Sequence, residues 1–161
     1  SFGYNQNETL SEYMSSKDLI HLLVRKVANG SNLLLNIGPT ADGRIPVIMQ
    51  QRLTDMGSWL SVNGEAIYET TKWNNAPSQK PADVFFTLKG STLFVICTNP
   101  KVKSISVGNV SAAKSVSLLG STAKVKFGRQ GNSLKIEVPA AELCTGTLPY
   151  AWVYKLEGAL R

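Results

Sequence analysis

The spacing of apolar residues changes once along this chain, and that change limits what it can fold into. Before about residue 73 they recur every three or four positions. Leu19, Ile20, Leu23, Val24 and Val27 make one helical stripe, and Ile48, Met49, Leu53, Met56 and Leu60 a second. From Val84 onward the period is two, in short runs separated by Gly, Asn or Pro. A helical segment followed by an all-β segment is therefore expected, joined near Thr70–Pro81, where Trp73-Asn74-Asn75-Ala76-Pro77 reads as a loop or linker. Charge follows the same divide. Residues 1–72 hold six Lys/Arg and seven Asp/Glu, net −1; residues 73–161 hold eleven and four, net +7.

Local signals place the elements. Ser15 with Asp18 three positions on resembles a capping box, and Asn29-Gly30 supplies a left-handed stop, so a helix is expected between them. Leu33–Ile37 is apolar without alternation, as in a strand buried on both faces of a parallel sheet. Gly38–Gly43 must be a loop. Pro46 suits a first helical position, and Asn63-Gly64 ends the second helix. The tail offers strands at 84–88, 92–97, 104–107, 115–119, 124–127, 133–138 and 151–156, with hairpin turns at Lys89-Gly90-Ser91 and Gln130-Gly131-Asn132. Strands this short and closely spaced predict an antiparallel β-sandwich.

Composition removes several function classes. At 43% hydrophobic and 17% charged, the chain can bury a core. No apolar run approaches the roughly 20 residues of a membrane span. The first ten residues are polar, with Ser at position 1, so no signal peptide is read and the chain looks like an internal or processed piece. His21 is the only histidine, which argues against a zinc site; no metal and no cofactor are expected. Cys97 and Cys144 read as buried thiols, with a disulfide left open. The basic tail raises nucleic acid or a membrane surface as partners. Its lysines stand singly between Val, Ser and Leu, however, which puts them on the wet face of half-buried strands, so neither partner is expected.

A complete catalytic apparatus is missing. Glu8, Glu12, Asp42 and Glu65 are scattered over loops and caps, and Asp42 beside Gly43 reads as a turn former. His21 reads as a packed histidine. Gly38–Arg44 lacks the Gly-Lys-Ser/Thr end of a phosphate loop. The better site candidates are Asn36, a polar amide inside an apolar run that must find partners, and the aromatics Phe2 and Tyr4 flanking Gly3, which would suit sugar stacking.

Ser-Phe-Gly-Tyr-Asn (1–5), Leu-Leu-Leu-Asn-Ile-Gly-Pro-Thr-Ala-Asp-Gly (33–43), Ile-Pro (45–46) and Trp-Leu-Ser-Val-Asn-Gly-Glu-Ala-Ile-Tyr (59–68) resemble the carboxyl-terminal part of family 29 glycoside hydrolases, the α-L-fucosidases. Ser-Val-Ser-Leu-Leu-Gly (115–120) and Lys-Ile-Glu-Val-Pro (135–139) resemble that family's terminal sandwich in layout. The resemblance implies an α/β plus β fold: the last units of a (β/α)₈-like barrel over 1–72, a linker over 73–81 and an antiparallel β-sandwich over 82–161. At 161 residues the chain is too short for the complete barrel, which takes roughly 250. The resemblance further implies retaining hydrolysis of terminal α-L-fucose from fucosylated glycans, with both catalytic carboxylates upstream of residues matching Ser1–Asn5. It assigns no catalytic residue here. It places Phe2 against the apolar C6-methyl edge of the sugar, with Tyr4 and Asn36 as weaker substrate-binding candidates. The implied partners are the fucoside and the amino-terminal part of the same enzyme, with homo-oligomer formation left open. A secreted, periplasmic or lysosomal parent enzyme is implied. The rival reading is a non-catalytic carbohydrate-binding or structural sandwich module, which a row of exposed aromatics on one sheet face would favour.

Overall fold

The structure is a computed structural model that describes residues 3–78, 80–110, 112–138 and 150–160. Helix α1 spans Ser16–Ala28. Its start is fixed as the sequence predicts: the Ser15 hydroxyl oxygen accepts from the Asp18 backbone N–H at 3.1 Å. Its end is fixed by Gly30 at φ +80°, a left-handed position that glycine adopts without strain. Helix α2 spans Val47–Asn63. Pro46 sits one position earlier than expected, as the residue before the first helical turn rather than within it.

Eight strands follow among the described residues: β1 (Thr71–Lys72), β2 (Val84–Lys89), β3 (Thr92–Cys97), β4 (Ser104–Gly108), β5 (Ser115–Leu118), β6 (Phe127–Gln130), β7 (Ser133–Glu137) and β8 (Trp152–Glu157). They form a five-stranded sheet in the order β1-β2-β3-β8-β5 and a three-stranded sheet in the order β4-β7-β6, with every pairing antiparallel. Val84, Phe86, Leu93, Val95 and Tyr154 of the larger sheet share one core with Ile105, Val107, Leu134 and Ile136 of the smaller. This is the expected sandwich, with both predicted hairpins in place.

The larger sheet has a second covered face. Phe94 and Ile96 of β3 and Val153 of β8 point away from the sandwich core, into a cluster with Leu19, Ile20 and Val24 of α1 and Met56 and Trp59 of α2. Every residue of β3 after Thr92 is buried. Hydrogen bonds tie the layers. The Trp59 indole donates to the Ala151 carbonyl at 3.0 Å, the Thr87 hydroxyl to the Ala66 carbonyl at 2.7 Å, and Lys155 pairs with Glu65 at 2.7 Å. Thr87 and Trp59 are both fully buried, so these polar groups are satisfied only by the joint itself. The stretch 73–81 contributes Trp73 to the sandwich core, edge-on to Phe86 with ring centroids 5.2 Å apart.

Two local expectations fail. Leu33–Ile37 is not a strand: the segment joins neither sheet among the described residues, and Leu34 is 95% exposed. A parallel strand needs neighbours along both edges, and none of the described strands lies beside this one. Strand β6 is displaced three residues from 124–127, because Val125 is buried by packing into the core rather than by ladder pairing.

Cys97 is a free thiol, 2% exposed, whose Sγ–H donates to the Asn99 carbonyl; Cys144 lies outside the described residues. Burial pushes the Cys97 pKa up; a hydrogen bond from the Asn99 backbone N–H to the sulfur opposes the shift and Asp83 adds to it. A raised folded-state pKa stabilises the fold below the ordinary thiol range, and that contribution is lost as pH climbs through it. Cys97 is therefore expected to resist iodoacetamide at pH 8 in the folded protein and to react in urea, read by peptide mass spectrometry. Rapid native labelling would contradict the burial.

Candidate functional site

Two stretches far apart in sequence meet at one corner of the helical layer. Gly38 is buried, and a Cβ built on it would lie 2.4 Å from the Tyr4 backbone nitrogen and 2.6 Å from the Gly3 carbonyl carbon. Only a residue without a side chain lets the 3–5 segment cross the 36–40 segment this closely. Tyr4 is thereby held at the surface, 38% exposed. Phe2 lies outside the described residues.

Beyond the crossing, a tight turn reverses the chain. The Thr40 N–H donates to the Arg44 carbonyl and the Gly43 N–H to the Thr40 carbonyl, each at 2.8 Å. Asp42 accepts from the Thr40 hydroxyl and pairs with Arg44 at 3.1 Å. It is the turn former its neighbours predicted.

Asn36 is exposed and lines a cavity of about 320 Å³ with Glu8, Tyr13, Leu35, Met49 and Arg52. Tyr4 is not among its lining residues, so the structure brings the Tyr4 backbone against Gly38 without placing the Tyr4 and Asn36 side chains in one pocket. Arg52 is anchored from α2, its Nε donating to the Met14 carbonyl at 2.9 Å. The Tyr13 phenol is held above its ordinary pKa by desolvation and then by its hydrogen bond to the Glu8 carboxylate. Tyr13 and Arg52 carry no motif, so nothing in the sequence marks them as cavity residues.

The carboxylates near this corner are committed to local structure. Glu12 accepts from the Thr9 backbone N–H at 2.6 Å and from its hydroxyl at 3.0 Å, closing the 3-10 turn Leu10–Glu12. Asp55 accepts from Ser16 at 2.5 Å and from Gln51 at 2.8 Å, clamping α2 to the start of α1. Asp18 takes the Ser15 hydroxyl at 2.6 Å, which holds its pKa low. No group of His, Cys, Asp and Glu among the described residues is arranged to hold a metal ion. No described helix is long and apolar enough to cross a membrane.

A second cavity, about 570 Å³, runs along the seam between α1 and the larger sheet. Its polar groups brace that joint. His21 Nε2 donates to the Tyr150 carbonyl at 2.7 Å, and Asp83 accepts from Asn99 at 2.9 Å. Lys80 donates to the Val84 carbonyl and lies 4.7 Å from the centroid of the Phe85 ring, with its pKa lowered by desolvation. His21 is thus the packed histidine expected. The sandwich aromatics Phe86, Phe94, Trp152 and Tyr154 are buried, so the described residues present no aromatic row for a sugar to lie on.

Comparison with known proteins supplies the family. A family model described as "Alpha-L-fucosidase" matches residues 1–65, and one described as "Alpha-L-fucosidase C-terminal domain" matches residues 78–157. The chain is 34% identical to an alpha-L-fucosidase of Branchiostoma floridae, over 99% of this chain and 36% of that protein. It is 36% identical to the human plasma alpha-L-fucosidase, over 97% of this chain and 34% of that protein. Among solved structures, Thermotoga maritima alpha-fucosidase in complex with a mechanism-based inhibitor superposes with a TM-score of 0.80 at 34% identity, covering 96% of this chain and 37% of that one. The chain spans about a third of the length of the relatives it matches.

Proposed function

The chain belongs to the α-L-fucosidase family, and on that premise we propose that it forms the carboxyl-terminal third of a retaining α-L-fucosidase acting on terminal α-L-fucose of fucosylated glycans. Residues 1–72 are the closing part of a (β/α)₈-like barrel, 73–81 the connection, and 82–161 the sandwich that braces it. The observation that carries this reading is the open flank at Leu33–Ile37. An apolar segment joins neither sheet among the described residues, Leu34 is 95% exposed, and Val47 on the adjoining helix is 82% exposed. Such a surface is consistent with neighbouring barrel strands supplied by chain outside these residues.

Retaining hydrolysis needs a nucleophilic carboxylate and an acid/base carboxyl about 5–5.5 Å apart across the scissile bond. Glu12, Asp18, Asp42 and Asp55 are already tied into caps, turns and clamps. On the family resemblance, the reacting pair is assigned upstream. This chain's share is the wall of the fucose pocket: Phe2 against the methyl edge of the sugar, Tyr4 beside it, and Asn36 as a polar contact within the segment 33–37. Gly38 keeps the two segments in register by letting their backbones touch.

The 161 residues expressed alone should not turn over a chromogenic α-L-fucoside. The same residues joined to upstream sequence aligned to the missing two thirds of the relatives should do so, with retention of anomeric configuration read by NMR. Turnover by the 161 residues alone would overturn the assignment.

A further inference from the structure

Arg52 reaches from α2 to the end of the loop that carries Tyr4. Its Nε donates to the Met14 carbonyl at 2.9 Å, a bond between residues 38 positions apart, and a longer contact of 3.5 Å joins its guanidinium to the Ser16 hydroxyl. Ser16 is 3% exposed and donates in turn to Asp55 of α2. The anchor therefore stands on the joint between the two helices, which is set by their packing and not by the loop.

Apolar packing does little to place the loop 3–14. Residues 3–7, 9–12 and 14 are exposed. The bonds within it are local: the Glu8 N–H donates to the Asn5 carbonyl at 3.2 Å, the Asn7 N–H to Asn5 Oδ1 at 3.0 Å, and Glu12 closes the turn at Thr9. Bonds of such short span set the shape of a loop and leave its position free. Position comes from its two ends. The start is held where the Gly3–Tyr4 backbone crosses Gly38, and the finish is held by Arg52 at Met14. Between them, Tyr13 bonds the Glu8 carboxylate, and both line the 320 Å³ cavity together with Asn36 and Arg52.

We propose that Arg52 is a positioning residue for the fucose site: by holding the Met14 carbonyl it fixes the loop that presents Tyr4 and walls the cavity beside Asn36. This rests on the proposed function, in which Tyr4 and Asn36 contact the sugar. Arg52 acts through the backbone of the loop and is not a catalytic residue. A planar guanidinium suits the task, because its Nε and terminal donors are fixed relative to one another; a lysine ammonium could serve Met14 but not Ser16 at the same time. When such a support is lost, the wall it holds moves, and a shift of about an ångström is felt in binding. The folding cost is small, since Met14 is 46% exposed and water can replace the lost donor at its carbonyl.

The test uses the chain joined to its upstream sequence and reads KM and kcat for a chromogenic α-L-fucoside, the inhibition constant of free L-fucose, and thermal unfolding. Arg52→Met should raise KM and the fucose inhibition constant together by about tenfold, with kcat within about threefold and the unfolding midpoint nearly unchanged. Arg52→Lys, which keeps a donor for Met14, should bring both constants back to within about threefold of the unaltered enzyme. Gln51→Ala is the control: its amide bonds Asp55 inside α2 and does not reach the loop, so both constants should stay as they are. A purely structural role lowers the active fraction instead, so kcat falls at unchanged KM. That result, or failure of Arg52→Met to fold, overturns the proposal. So does an equal rise in KM for the methionine and lysine variants, or for Arg52→Met and Gln51→Ala. Turnover by the unaltered enzyme is read first and tests the fucosidase assignment alone, so the variants can fail without touching it.

Discussion

Replacing Gly38 by alanine is expected to lower kcat/KM for an α-L-fucoside by about 100-fold or more in the chain joined to its upstream sequence. The new Cβ would sit 2.4 Å from the Tyr4 nitrogen and 2.6 Å from the Gly3 carbonyl carbon. Both are backbone atoms, so no rotamer change relieves the contact. The 3–5 segment must retreat by about an ångström, at a cost of roughly 1–3 kcal/mol for overpacking. A displacement of that size in a substrate-positioning segment is worth about 100-fold in rate. Gly57 provides the comparison. It lies inside α2 and its Cβ would meet nothing within 4 Å, so Gly57→Ala should raise stability by about 0.5–1 kcal/mol and leave kcat/KM unchanged. Steady-state kinetics and urea unfolding of both variants decide the matter. A Gly38→Ala enzyme with normal kcat/KM would remove the 3–5 segment from the site.

The second large effect falls on stability. Trp59→Ala is expected to cost about 3–5 kcal/mol, enough to consume much of the stability of an ordinary domain. Trp59 is fully buried in the cluster joining α1 and α2 to Phe94, Ile96 and Val153 of the larger sheet. Truncation leaves a cavity at the centre of that joint and strips the Ala151 carbonyl of its donor. Trp59→Phe retains much of the ring and loses the hydrogen bond, so it should cost far less than alanine. Urea unfolding with tryptophan-independent detection, such as far-ultraviolet dichroism, separates the two. If Trp59→Ala unfolds with an unchanged midpoint, the helical layer is not energetically coupled to the sandwich.

That coupling was only half visible in the sequence. Thr92-Leu93-Phe94-Val95-Ile96-Cys97 has no polar alternation after Thr92, the usual mark of a strand covered on both faces, and it is the strand whose two faces serve two cores. Read only as part of a period-two tail, it predicts the sandwich and misses the helices behind it. Leu33–Ile37 carries the same mark with the opposite outcome. Its apolar run describes a burial on both faces that none of the described strands supplies, so Leu33 and Leu35 pack against the helical cluster while Leu34 stands in solvent. Identical local patterns report what a strand requires, not whether its neighbour is present.

At the site, the turn at Thr40–Arg44 and the cap at Ser15 were legible because both are satisfied within five residues. Tyr13 and Arg52 were not, because their partners are set by how α2 lies against the loop before α1.

Sequence by itself determined the helices and their ends, the strand alternation of the tail, its two hairpins, its net positive charge and the family. These follow from local sterics, periodicity and motif identity, which need no knowledge of distant contacts. Tertiary structure alone decided that Gly38 meets the Gly3–Tyr4 backbone and that Trp59 and Thr87 weld helices to sheet. Those facts depend on which distant segments are stacked together, and close packing fixes that only when the whole chain is assembled.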